Sequence, residues 1–303
     1  MSNQMENDII PLELPDIALP KINKERKSNN DFMIDLISVA NDVNKAIILI
    51  SGVVPQKDID HEKLDVLRGH IVRMFKLYDT YIFLLVERRT ETAFIILRAL
   101  AETIINLRYL LMHINTDVYK KYKRASLAYE KHLEDSILKN IQNRKDKLPI
   151  EERMLKSIAD TFFRSGLGHL EERELKKTQW GLKRQHLEVS GKAKDIGLYS
   201  IYEYLFKISS HFVHGSWHEL DFHHLERKKD KWGTRPPQMH YTTPKPQLVE
   251  AISIFVLDAL QQYLFTIVED NDHAEELKGH LNKISQWFSD ISQEHEKYLS
   301  NEQ

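Results

Sequence analysis

The chain has 303 residues, of which 42% are hydrophobic and 29% are charged, and its formal net charge is -2. This composition is typical of a globular protein with a sizeable core, and it excludes general disorder and fibrous repeats. The absence of cysteine excludes disulfide bonds, thiol nucleophiles and cysteine-ligated metal centres. The near-neutral charge gives no overall electrostatic reason to expect nucleic acid as a partner.

The first 29 residues predict an extended or partly disordered arm, because Pro11, Pro15 and Pro20 interrupt any helix there. Residues 1–8 are acidic and lack the basic and apolar regions of a secretory signal. The longest apolar runs are much shorter than the roughly 20 residues that cross a bilayer. We therefore expect a cytoplasmic protein with no membrane partner.

Helical periodicity begins near residue 31 and dominates the rest of the chain. Apolar residues recur at spacings of three and four, which places them on one face of each helix. The pattern predicts about seven to eight helices, near residues 31–51, 58–88, 91–113, 116–145, 149–166, 198–214, 247–269 and 272–298. Asn30 or Asp31 is the expected N-cap of the first helix and Thr90 that of the third, while Pro149 fits the first turn of the fifth.

Two interior stretches are less regular. Residues 166–196 are the least periodic, and residues 215–246 contain two glycines and four prolines, which predicts a long loop. No strand pattern and no internal repeat is evident. The sequence therefore predicts an all-α protein with a single helical bundle over residues 30–298, an arm over 1–29 and a frayed tail over 299–303.

The densest chemical feature lies at residues 211–224, which hold five histidines and two acids. Imidazole and carboxylate groups can hold a divalent metal, and His211, His218 and His223 are the candidate ligands. On a continuous helix His211, His214 and His218 would share a face, but Gly215 makes that continuity doubtful. The HExxH motif of zinc-binding helices is also missing. A structural or solvated role is therefore favoured, and we expect neither a metal nor a cofactor.

Two apolar helices carry polar residues one turn apart, namely Arg98 with Glu102 and Ser210 with His214. An intrahelical ion pair and a local hydrogen bond would explain them. The alternative is a shared pocket in which Arg98 holds an anion and Glu102, Ser210 and His214 are the catalytic candidates, with His214 as acid or base. No nucleophile-elbow motif and no glycine-rich phosphate loop supports a serine hydrolase or a nucleotide enzyme.

Two segments carry a resemblance to a known family. Residues 96–102 read Ile-Leu-Arg-Ala-Leu-Ala-Glu, and residues 206–215 read Phe-Lys-Ile-Ser-Ser-His-Phe-Val-His-Gly. Their order and spacing resemble the bacterial domain-of-unknown-function family 5677, over roughly residues 35–270. The resemblance implies a helical fold and no established activity. Phe206 stands where that pattern has tyrosine, so Tyr204 is the substitute candidate for a ligand-binding phenol.

A looser similarity is to the helical HEPN ribonucleases of defence and toxin systems, whose Arg-x4-6-His motif lies at a dimer interface. One match runs from Arg164 to His169, and its two glycines predict a turn rather than a regular helix. This similarity implies RNA as a partner and a homodimer as the assembly.

Three functional hypotheses remain open. The leading one is a polar pocket between two helices that binds a small or anionic ligand or a partner segment, with or without catalysis. The enzyme alternative is a metal-independent ribonuclease of the HEPN type. The third is a structural scaffold that self-associates through the apolar residues at 9–19.

Overall fold

The computed structural model describes residues 26–166, 179–231, 233–269 and 271–301. These residues contain ten α-helices and no strand, so the all-α prediction is confirmed and the predicted number of seven to eight helices is slightly low. The helices are α1 (Asn29–Ser51), α2 (His61–Val86), α3 (Thr90–Met112), α4 (Val118–Arg144), α5 (Pro149–Ser165), α6 (Val189–Asp195), α7 (Ile208–His214), α8 (Trp217–Glu219), α9 (Gln247–Ile267) and α10 (Asp272–Asn301).

The additional helices lie in the stretches that look irregular in sequence. A 3₁₀ turn, Arg184–Leu187, precedes α6, and a π-helical turn, Ile201–Lys207, precedes α7. The predicted loop at 215–246 begins instead with α8 and a second π-helical turn, Leu220–His224. The turn at 201–207 falls within the predicted helix at 198–214. The 3₁₀ turn, α6 and the helical elements after Gly215 were missed, because elements this short complete too few turns to show a hydrophobic period.

Two predicted helix caps are corrected by the structure. Ser28, rather than Asn30 or Asp31, caps α1, and its Oγ accepts a hydrogen bond from the N–H of Asp31 at 3.3 Å. Thr90 is the first residue of α3, and its hydroxyl donates to the carbonyl oxygen of Thr242 at 2.5 Å. This hydroxyl therefore ties a distant loop to α3 instead of capping the helix.

The chain ends are described only in part. Pro149 opens α5 as predicted, and α10 continues to Asn301, so residues 299–301 are helical rather than frayed. Most of the predicted arm, residues 1–25, and residues 302–303 lie outside the described residues.

The chain forms two compact units. Unit 1 comprises Met1–Ile104 and Glu203–Gln303, and unit 2 comprises Ile105–Tyr202, so the division falls within α3. The sequence-based domain at 30–298 does not distinguish these units.

Unit 1 is built around α1, which packs against α2, α9 and α10, while α9 also packs against α10. The core face of α1 carries a stripe of buried apolar residues at helical spacing, Leu36, Val39, Val43, Ile47 and Ile50. By length and composition α9 is apolar enough to cross a membrane, and half of its most apolar stretch is buried in the structure. A buried core helix meets the same criteria.

Unit 2 contains a smaller apolar cluster. Leu127, Ala128 and Ile137 of α4 pack with Ile158 and Phe162 of α5.

Gly191 lies where α6 contacts the preceding 3₁₀ turn. The approach is so close that a Cβ at residue 191 would lie 1.6 Å from the carbonyl oxygen of Gln185. Only glycine fits this position.

A buried histidine couples the stability of unit 1 to pH. The Nδ1–H of His70 donates to the carbonyl oxygen of Val66 at 2.9 Å. Burial lowers the pKa of His70, and the nearby charge of Arg73 acts in the same direction. The folded protein therefore favours the neutral imidazole.

We expect the free energy of unfolding to fall as the pH drops below about 6.5, because the unfolded chain then binds the proton more readily than the folded one. The substitution His70→Gln should reduce this slope by at most about 1.4 kcal/mol per pH unit, the value for one proton. Urea denaturation across this pH range measures it. The exposed His132 supplies the matched control His132→Gln, and a slope no lower in His70→Gln than in this control would contradict the assignment.

Candidate functional site

Unit 1 contains a pocket of about 460 Å³ with mainly apolar walls. It lies between the start of α3, α7, the α8 region and the segment that leads into α9. We name it the histidine pocket, and it is lined by Thr90, Phe94, Ile208, His211, Phe212, His218, Glu219, Phe222, His223, Thr242, Thr243, Lys245 and Leu248.

A chain of six aromatic or imidazole rings runs along the pocket wall: Phe94, Phe212, His223, Phe222, His218 and His211. The first pair is stacked, with ring centroids 4.3 Å apart and planes 7° apart. The following centroid distances, in the same order, are 5.1, 5.0, 6.2 and 6.0 Å. All lie close to the range in which aromatic rings attract one another, so the rings form a continuous surface.

A glycine creates the fold of this wall. Gly215 adopts a left-handed conformation with φ of 56° and ends α7. Ser216 then caps α8, and its Oγ lies 3.0 Å from Nδ1 of His211. The chain thereby turns back, and the rings of His218 and Phe222 continue the wall that α7 begins. The predicted end of the helix at Gly215 is thus confirmed. The turn there brings residues of α7 and of the α8 region to the same pocket.

A buried carboxylate anchors the loop beside the pocket. Oε1 of Glu91 accepts a hydrogen bond from the N–H of Thr242 at 2.9 Å and lies 3.3 Å from Nδ1 of His223. The same nitrogen of His223 lies 2.9 Å from Oγ1 of Thr242. Together with the Thr90 hydroxyl, these contacts hold three segments remote in sequence in one arrangement.

The structure places the two family-like segments side by side. The guanidinium of Arg98 lies 4.8 Å from the ring centroid of Phe206, and Phe94 stacks on Phe212. Since the earlier residue of α3 contacts the later residue of the other segment, the two segments run antiparallel. The hydroxyl of Ser210 donates to the carbonyl oxygen of Phe206 at 2.8 Å.

The predicted polar site does not coincide with the histidine pocket. None of Arg98, Glu102, Ser210 and His214 lines it. Glu102 is half-buried, whereas His214 and Tyr204 are exposed. Within the described ranges, no ion pair joins Arg98 to Glu102, and no hydrogen bond joins Ser210 to His214. Neither of the expected local pairs therefore forms. The catalytic roles given to these residues, and the ligand role of Tyr204, remain predictions.

The three metal-ligand candidates share the pocket wall. His211, His218 and His223 all line it, but the part of the chain that the structure describes contains no group of three or more metal-ligating side chains arranged to hold an ion. Nδ1 of His211 contacts Ser216, and Nδ1 of His223 contacts Thr242. In this structure all three histidines contribute rings to the wall, and His211 and His223 also contribute hydrogen bonds.

The HEPN-like motif begins at the end of a helix. α5 ends at Ser165, and Gly166 adopts a positive φ of 67°. Nε of Arg164 donates to the carbonyl oxygen of Asp160 within the same helix. The motif therefore does not continue along α5, and His169 lies outside the described residues.

A second cluster of titratable groups lies in unit 2. The N–H of Leu182 donates to the Tyr109 oxygen, whose O–H donates to Nδ1 of His186, both at 2.9 Å. Nε2 of His186 lies 3.4 Å from Oδ1 of Asp195, and Nε2 of His113 lies 2.6 Å from Oδ2 of Asp195. Burial lowers the pKa of His186 and raises that of Tyr109, which favours their neutral forms. This chain ties the segment around α6 to α3.

The model of a family of unknown function, DUF5677, matches residues 64–231, more than half of the chain. The chain belongs to this family. The DUF5677 match contains all six rings of the pocket wall, whereas Thr242 and Lys245 lie beyond it. No curated protein and no solved structure gives a significant match.

Sequence reasoning missed several residues of the pocket. Phe94 lies one turn before Arg98 on the same side of α3, so helical spacing could have suggested it. Phe222 stands within the histidine-rich stretch but looks like part of a loop. No periodic signal marks Thr242 or Lys245, because both lie in irregular backbone that only tertiary contacts bring to the pocket.

The stacked pair at the pocket should carry a measurable coupling energy. In a double-mutant cycle, Phe94→Leu and Phe212→Leu should couple by about 0.5–1.5 kcal/mol, because either single change removes the stack. Urea denaturation of the four proteins measures this. Phe94→Leu combined with Phe265→Leu on the remote surface of α9 is the control, and it should be additive within about 0.5 kcal/mol. Additivity of the first pair would contradict the stack.

The tie in unit 2 should contribute to stability. The substitution Tyr109→Phe should lower the free energy of unfolding by about 1–3 kcal/mol, because it leaves the buried Nδ1 of His186 and the N–H of Leu182 without their partner. The exposed Tyr129 provides the control Tyr129→Phe, expected within about 0.5 kcal/mol of wild type. Equal effects of the two substitutions would show that the hydrogen-bonded chain does not form.

Proposed function

We propose that this protein binds a small molecule with a flat aromatic ring in the histidine pocket. The observation that carries the proposal is the unbroken chain of six rings along one wall. A ring that enters the pocket can stack on this surface or meet it edge-on, contacts worth about 0.5–1.5 kcal/mol each beyond the burial of area.

The size and composition of the pocket support a small ligand rather than a protein segment. A volume of about 460 Å³ lies within the range of ligand sites, about 300–1,000 Å³, and such sites combine apolar walls with a few polar groups. The hydrogen bonds of Glu91 and Thr90 to Thr242 fix the adjacent loop, so the site is formed before the ligand arrives. Preorganisation of this kind lowers the cost of binding.

The other two hypotheses rest largely on residues that the structure does not describe. The ribonuclease hypothesis depends on His169, outside the described residues, or on His214, which is exposed at the end of α7, and the scaffold depends on residues 9–19. No contact among the described residues favours either one over the pocket.

The experiment titrates the full-length protein with 2-naphthamide, a neutral bicyclic aromatic probe, and follows binding by ligand-observed NMR. Phe222 is 51% exposed, so the substitution Phe222→Ala should leave the fold intact while removing one ring of the wall. We expect the affinity to fall about tenfold, which corresponds to about 1.4 kcal/mol.

The matched control is Phe265→Ala, because Phe265 is 59% exposed on α9 and does not line the pocket. This variant should bind the probe as wild type does. Failure of the wild-type protein to bind 2-naphthamide, or equal binding by wild type and Phe222→Ala, would refute the proposed function.

A further inference from the structure

Around the histidine pocket, the acidic side chains have partners within the protein, whereas several basic side chains have no acidic partner. The pocket carboxylate of Glu219 is buried, and its Oε1 lies 2.5 Å from Nε2 of His224. The carboxylate of Glu91 accepts from Thr242 and lies beside His223. Oε1 of each acid is therefore engaged by a group of the protein, whereas Oε2 of Glu91 is buried without a hydrogen-bond partner among the described residues.

Three basic groups of the pocket, Lys245, His211 and His218, have no acidic partner among the described residues. Lys245 lines the pocket and is exposed, and no ion pair within the described ranges includes it. His211 contacts only a hydroxyl through Nδ1, and His218 makes ring contacts without a hydrogen bond to any described residue. The pocket thus offers an ammonium group and two imidazoles without an acid that compensates them.

The two imidazoles are also close together. The ring centroids of His211 and His218 lie 6.0 Å apart, so one small ligand in the pocket can lie beside both rings. Imidazole N–H groups donate hydrogen bonds to carboxylates, and an ammonium group forms charge-assisted ones.

We propose that the ligand of the histidine pocket is a small aromatic acid, whose ring stacks on the wall and whose carboxylate is recognised by Lys245, His211 and His218. This inference rests on the proposed function and specifies its ligand class. A cationic aromatic ligand is disfavoured, because the Glu219 carboxylate is paired with His224 and Glu91 does not line the pocket.

The experiment compares 2-naphthoate with 2-naphthamide, two probes of nearly equal shape that differ in charge. We expect wild-type protein to bind the carboxylate about fivefold more tightly than the amide at low salt, and the ratio to fall as salt is added. In Lys245→Gln, and in the double variant His211→Phe/His218→Phe, which keeps two rings in the wall but removes their N–H groups, the ratio should fall to about two or less.

The matched control is Lys229→Gln, since Lys229 is exposed in the same long segment and does not line the pocket. It should keep the wild-type ratio. Equal affinity for the two probes in wild type, or an unchanged ratio in both pocket variants, overturns this inference and leaves the proposed function standing. Loss of binding of both probes to wild type counts against the proposed function itself.

Discussion

The antiparallel contact between α3 and the segment that ends in α7 is the constraint on which the pocket depends. Phe94 stacks on Phe212 at one end of this contact, and Arg98 lies over the ring of Phe206 at the other. Each contact joins residues more than a hundred positions apart in sequence. Together the two contacts fix the direction and the register of α3 against the segment that ends in α7. The remaining rings of the wall continue from this stack through His223 and Phe222.

The polar contacts around the pocket have structural consequences that a list of catalytic residue types would not suggest. The Ser210 hydroxyl donates to the carbonyl oxygen of Phe206 in the preceding π-helical turn. Ser216 caps α8, and Gly215 allows the sharp turn between α7 and α8. In this chain the serine, histidine and glycine of the family-like segment therefore belong to a helix ending. Because the chain reverses at that helix end, His218, His223 and Phe222 line the same pocket as α7.

A pocket of this kind separates two physical tasks. The ring surface and the fixed loop provide shape and burial, which act on any flat apolar molecule. In the proposed complex, the ammonium group of Lys245 provides charge and the imidazoles of His211 and His218 provide hydrogen-bond donors, which discriminate among molecules of the same shape. The buried Glu91 supports both tasks indirectly, because it holds the Thr242 segment next to the pocket.

The sequence by itself determined the helical class, most long helices and the break at Gly215, because these follow from local periodicity and backbone conformation. It also pointed to the two segments that prove to be neighbours. Only the tertiary structure decided which of their faces meet: Phe94 and Phe212 rather than Glu102 and His214. The reason is that helical spacing defines a face within one helix, whereas packing between distant helices and irregular loops sets which faces enclose a common space.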